Sequence, residues 1–268
     1  MPVDLSILIQ HMPAWLMVLF RLSGIFIFAP VLGSNMIPTR VKVFLVIALS
    51  LCVYPMLLQT PRPAAAYLGS FSVQQMSLWS LGGQIGVELI LGLAIGYAAS
   101  LPLVAMQIGG HVIDQQMGLG LAGIYNPELE EQSGILGEVF FMFAMAIFVI
   151  VGGHRMMLAT LIGSFDQIPL GGFDGIGSLV DLMIGLLQVM FELSVRIAAP
   201  ITALLFLVTV AMGFIARTVP QFNILSVGFS VRILVTALVL VGSITIIGQV
   251  YIEVLQQILR QIMGFFAL

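Results

Sequence analysis

Residues 114–127 read DQQMGLGLAGIYNP, and the reading of this stretch decides the fold. Gly118, Gly120 and Gly123 carry the G-x-G-x-x-G spacing with which many soluble enzymes hold a dinucleotide pyrophosphate. That chemistry needs a strand before the first glycine, a helix opening near the third, and an acidic residue about 20 positions on. The flanks meet none of these needs. The preceding run, 89–113, is apolar and has the length of a helix. Asn126-Pro127 and then Gly134 break any helix beginning at Gly123. Glu138 stands at the right distance but lies inside the next apolar run.

Outward from this stretch, the composition agrees. Of 268 residues, 60% are hydrophobic and 8% charged, against about 25% charged in soluble domains, and the mean hydropathy is +1.16. This is the composition of an integral membrane protein. The net charge of −3 and the lack of a basic tract exclude a nucleic-acid binder. The one cysteine, Cys52, cannot form an internal disulfide, and no Cys/His spacing suits a metal. The amino-terminal residues lack the basic region of a cleavable leader and run into a hydrophobic segment, so they read as a retained first membrane element.

A spanning helix needs about 20 mostly apolar residues. Six runs qualify: 13–31, 43–58, 89–113, 135–152, 197–216 and 233–252. The segment 175–192 is shorter and carries Asp181, which suits an interfacial or re-entrant helix as well as a crossing. Gly- and Pro-rich breaks separate the runs, and none is long enough for a soluble domain. The expectation is a single compact, all-α unit of about six long hydrophobic helices, some broken. Arg40 and Lys42 in one loop and Arg217 and Arg232 around another place both on the cytoplasmic side by the positive-inside rule.

Enzymatic readings fail on their residues. H-E-x-x-H is absent, no Ser sits in G-x-S-x-G, and of the aspartates considered for a paired-carboxylate site (114, 166, 174 and 181) only Asp114 abuts a clear membrane run. Glycine has another use: Gly82 with Gly86, and Gly92 with Gly96, form G-x-x-x-G pairs that let helices approach closely, within this chain or against other subunits. Arg21, Glu88, Asp114, Glu138, Arg217 and Arg232 lie in or beside apolar runs, where an unpartnered charge costs at least about 2.5 to 3.5 kcal/mol. Arg217 and Arg232, at run ends, suit snorkelling or an interface. Arg21, Glu88 and Glu138 lie deeper and call for partners or a wet lumen. His111 reads as a helix-packing residue.

In hydrocarbon, non-helical backbone survives only where protein buries it or water reaches it. Residues Gln115, Gln116, Met117, Gly118, Leu119, Gly120, Leu121 and Gly123 therefore read as a re-entrant or pore-lining loop, with Met117, Leu119 and Leu121 as a deformable apolar seal. A plain turn between helices is the competing reading.

Four blocks then resemble a known family: RLSGIFIFAPVLGSNMIPTRVKVFLVIALSL (21–51), QQMGLGLAGIYNP (115–127), GGHRMMLATLIGSF (152–165) and ARTVPQFNILSVGFSVRILV (216–235). Their order and spacing resemble the FliR proteins of the flagellar type III export apparatus and their injectisome counterparts, over essentially the whole chain. The resemblance implies a FliP-like portion, 1–192, and a FliQ-like helical hairpin, 193–268. It implies one subunit of an inner-membrane export gate in the flagellar basal body, through which unfolded flagellar proteins pass. Its implied partners are FliP-like, FliQ-like, FlhB-like and FlhA-like proteins, the unfolded clients, and lipid. The loop at about 115–123 matches the family's luminal plug. No cofactor, metal or enzymatic activity is implied. Assembled members of the family sit largely above the bilayer, so some hydrophobic helices are expected against subunits instead of lipid. The alternative is a solute or ion transporter subunit, with the intramembrane charges as its binding site.

Overall fold

A computed structural model describes residues 5–34, 36–59, 78–118, 134–173, 175–219 and 224–266. Every regular element among them is a helix: α1 (Leu5–Phe28), α2 (Thr39–Gln59), α3 (Leu78–Met117), α4 (Ile135–Ile150), α5 (Gly153–Gln167), α6 (Ile176–Thr218) and α7 (Ile224–Phe266). Five of them are long and apolar enough to cross a membrane, and six spans result if α4 and α5 are counted as one broken span. The chain is an all-α membrane protein.

Two elements differ from the sequence reading. The segment 175–192 is neither a separate crossing nor an interfacial helix but the first half of α6, which runs on for 43 residues. Its charges do not interrupt it because they lie on an exposed face, where Arg196 Nη2 donates to Glu192 Oε1 at 2.7 Å across one turn. Gln115, Gln116 and Met117, expected in a loop, are the last residues of α3. The helix ends at Gly118, whose φ of +88° is the left-handed conformation that commonly closes a helix and that glycine adopts without penalty. Leu119, Gly120, Leu121 and Gly123 lie outside the described residues.

Helix length has a direct physical meaning here. At about 1.5 Å per residue, the 40 residues of α3 rise about 60 Å and the 43 residues of α6 and of α7 about 65 Å each. The hydrocarbon core of a bilayer is about 30 Å thick. Each of the three is roughly twice as long as a crossing requires.

The chain divides into two compact units. The first comprises residues 1–100, 152–186 and 256–268. Its core joins Met17, Val18, Leu22 and Ile25 of α1 to Leu91 and Ile95 of α3 and to Met157, Leu161 and Phe165 of α5. The axes of α1 and α3 approach closely at Gly24, Gly92 and Gly96. A Cβ added at Gly24 would lie 2.5 Å from the Leu89 carbonyl oxygen, and one added at Gly92 would overlap the Arg21 carbonyl. Gly82 and Gly86 share the same sequence pattern, but a Cβ at either meets nothing within 4 Å among the described residues.

The second unit comprises residues 101–151 and 187–255. Leu103, Met106 and Ile113 of α3, Ala144 and Phe148 of α4, and Leu193, Ile197, Ile201 and Leu205 of α6 form its core, with Tyr251 and Leu255 of α7. Here α3 and α4 touch backbone to backbone: a Cβ at Gly110 would lie 2.6 Å from Gly137 Cα.

Candidate functional site

Two groups of polar side chains are built into these cores. The one in the second unit stands at the end of α3 and the start of α4. The first N–H groups of a helix have no intrahelical acceptors, and the N-cap of α4, Gly134, has no side chain to supply one. Asp114 of α3 supplies it instead. Its Oδ2 accepts from the backbone N–H of Leu136 at 3.0 Å and of Gly137 at 3.2 Å, while Oδ1 lies 3.2 Å from the Leu136 nitrogen. One turn earlier, His111 Nδ1 accepts from the Gly134 N–H at 3.2 Å. A carboxylate at the positive end of a helix dipole is favourably placed, and Asp114 is only 4% exposed.

Glycines at 134 and 137 make this contact possible. Any Cβ on Gly134 would strike the Asp114 carboxylate, and one on Gly137 would come within 2.8 Å of the His111 ring. The consequence is topological. The chain leaves α3 at Gly118 and returns at Gly134, and Asp114 and His111 hold the returning end against the helix it left. Beside them Met117 is buried, whereas Gln115 and Gln116 are exposed. Glu138 is half-buried in the first turn of α4.

In the first unit, Arg21 and Glu88 are both fully buried and paired, Nε to Oε2, at 2.5 Å. Arg21 Nη1 donates to Ser164 Oγ at 3.2 Å, and its Nη2 lies 3.4 Å from the Ile168 carbonyl oxygen. The guanidinium sits over the Phe165 ring, 4.3 Å from its centroid. Glu88 Oε1 accepts from the Gly171 N–H at 2.9 Å. This ion pair ties α1, α3, α5 and the turn after α5 together, with both charges compensated. It offers no vacant charge to a diffusing solute.

The remaining sequence-predicted charges do not join either group. Arg217 is exposed in the last turn of α6. Arg232 is half-buried, eight residues into α7, so the two do not flank the intervening loop symmetrically. Sequence reasoning missed Ser164, Phe165 and the Gly171 N–H as partners of the buried pair. It also missed the capping role of Asp114, although the run of Gly134 and Gly137 at a helix start, with a carboxylate about one loop earlier, was the available signal.

Comparison with known proteins bears on both groups. The family of bacterial export proteins, family 1, matches residues 12–258, which include most of α1, all of α2 to α6 and most of α7. The chain belongs to this family. It is 27% identical over 243 residues to the flagellar biosynthetic protein FliR of Bacillus subtilis (strain 168), a match covering 90% of this chain and 89% of that one. It is 25% identical over 217 residues to FliR of Escherichia coli (strain K12), covering 81% and 78%. It is also 27% identical over 224 residues to the Yop proteins translocation protein T of Yersinia pestis, covering 82% of each. As a FliR-family member it is a membrane-embedded subunit of a type III export apparatus. Arg21, Glu88, Asp114 and Gly134 all fall within the matched residues.

Proposed function

We propose that this FliR-family chain is a non-enzymatic subunit of the inner-membrane export gate of the flagellar basal body. It helps form the pore by which unfolded flagellar proteins leave the cytoplasm, and residues from Gln115 to about Gly123 plug the lumen. The observation that carries the plug is the clamp at its base. With Asp114 and His111 holding Gly134, Leu136 and Gly137, the end of α3 and the start of α4 are fixed together, which supports a loop beyond Gly118 that can shift without parting the two helices. Met117 and Leu119 suit a seal because an apolar constriction closes to water and ions by dewetting and needs no ligand.

The gate would include FliP-like and FliQ-like subunits, the FliP-like portion of this chain ending near 192 and the FliQ-like hairpin following it. FlhB-like and FlhA-like proteins would meet it on the cytoplasmic side. Among the described residues nothing lies within 4 Å of a Cβ at Gly82 or Gly86, which leaves that face to such neighbours. The transporter alternative has less support, since the buried Arg21 and Glu88 satisfy each other.

The test is leakage in cells carrying the complete gate. Deletion of 119–123, or Leu119→Ser with Leu121→Ser, is expected to leave complex yield largely intact and to raise permeability to ions and small solutes. Unchanged permeability in a fully assembled gate would reject the plug in favour of a plain turn.

A further inference from the structure

Within the second unit, α7 carries a cation that has no counter-ion among the described residues. Arg232 is half-buried, its Nε is inaccessible to solvent, and among the described residues that nitrogen has no acceptor. One turn further along the same face lies Thr236, 1% exposed, whose Oγ1 is also without a partner. Threonine hydroxyls in helices ordinarily bond the carbonyl four residues back, as Thr209 does to Leu205; Thr236 does not. Arg196 offers the contrast: it is exposed and paired with Glu192. A guanidinium at apolar depth is costly without an acceptor, and none of the described residues supplies one to this nitrogen; an acceptor on a neighbouring subunit would relieve that cost.

The level of Arg232 identifies the acceptor. Gly228 of α7 faces Met212 of α6, and the cavity of about 220 Å³ further along the hairpin pairs Ile197, Pro200 and Ile201 with Val239, Ser243 and Ile247. The two helices are therefore antiparallel, and counting four residues on from the Gly228–Met212 approach puts Arg232 near the level of Val208. Val208 lies inside the uncharged stretch 197–216, eight residues from one end and eleven from the other, or about 12 and 16 Å. If that stretch spans hydrocarbon, lipid phosphates lie beyond both of its ends. If it packs against protein, no phosphate is present at all. A side-chain carboxylate is the acceptor that fits either setting and matches the charge.

We infer that Arg232 is one half of an intersubunit ion pair, made at hydrophobic depth with an Asp or Glu on a helix of a neighbouring subunit packed on this face of α7. The inference rests on the export-gate reading above. The pair would fix the register of the neighbour along α7, because a buried guanidinium accepts a carboxylate only where the two are level, and an apolar face alone permits sliding.

The experiment is co-expression of the chain with the other membrane subunits of its export apparatus, followed by purification and intact mass measurement. Wild type, Arg232→Lys, Arg232→Ala, Arg232→Glu and Thr236→Val are compared, with the melting temperature of each isolated chain as the control for folding. A photocrosslinker at Val235 identifies the neighbour. Expected are about tenfold or greater loss of complex for Arg232→Ala and Arg232→Glu, substantial retention for Arg232→Lys, and a crosslink to a partner helix carrying an acidic residue. Converting that residue to Arg should restore assembly of Arg232→Glu. Full assembly of Arg232→Ala, or crosslinks to lipid alone, would overturn the ion pair while leaving the export-gate reading intact. A wild-type chain that assembles with no other subunit would defeat that reading, and the ion pair with it.

Discussion

Removing one charge of the Arg21–Glu88 pair should cost far more than removing both. Each side chain is fully buried, so Glu88→Gln, which keeps shape and removes charge, leaves a guanidinium with no counter-ion in the core of the first unit. Breaking such a pair costs about 3–5 kcal/mol, and Arg21→Met should cost a similar amount by stranding the carboxylate. In the double variant Arg21→Met with Glu88→Met no charge remains. Ser164 Oγ still donates to the Leu161 carbonyl at 2.6 Å, and the main group orphaned is the Gly171 N–H, worth about 1–3 kcal/mol. The double variant should thus be more stable than either single one, against a simple sum of about 6–10 kcal/mol from the same costs. Thermal unfolding in one detergent of wild type, Arg21→Met, Glu88→Met and the double variant, run as a double-mutant cycle with Glu88→Gln alongside, measures this. A Glu88→Gln protein as stable as wild type, or a double variant as unstable as the sum, would refute the claim that these residues compensate each other.

Two further outcomes follow from the backbone contacts. Gly92→Leu should lower the melting temperature of the chain before any partner binds, by the equivalent of about 1–3 kcal/mol, because its side chain would enter the Arg21 backbone of α1; Gly86→Leu, with nothing within 4 Å of its Cβ among the described residues, should leave melting unchanged and act only in the assembly. Asp114→Ala removes the cap from α4 and should cost about 0.5–2 kcal/mol, with Asp114→Asn partly preserving it; in the complete gate the same alanine variant should raise small-solute leakage, and unchanged leakage would separate the clamp from the seal.

The class of the protein was legible because apolar composition and run length report directly on the solvent a helix can tolerate. The need of Arg21 and Glu88 for partners was legible for the same reason, since the cost of an unpaired buried charge does not depend on the fold. That they partner each other was not, because 67 residues separate them and spacing across two helices carries no register. The G-x-x-x-G pattern likewise marks a face and not its neighbour: Gly92 and Gly96 lie against α1, whereas Gly82 and Gly86 in the same helix meet nothing within 4 Å among the described residues. Helix ends were misplaced at 115–117 and 175–192 because polar residues were read as breaks. In both places the polar residues, Gln115 and Gln116 in one and Asp181 in the other, lie on an exposed helix face and do not break the helix.

The long helices carry a last consequence for how this chain is covered. Large apolar side chains are exposed along α6 from Ile176 to Ile215, 39 positions that rise about 58 Å. A hydrocarbon layer of about 30 Å covers roughly half of that distance when the helix stands upright. A tilt of about 40°, the upper end of what spanning helices show, extends the covered path only to about 39 Å. Lipid alone therefore cannot shield the exposed face of α6, and water would leave it prone to aggregation. Protein must cover the remainder, which is the physical reason a chain of this composition belongs in an assembly, and why contacts such as the one assigned to Arg232 decide whether it is stable there.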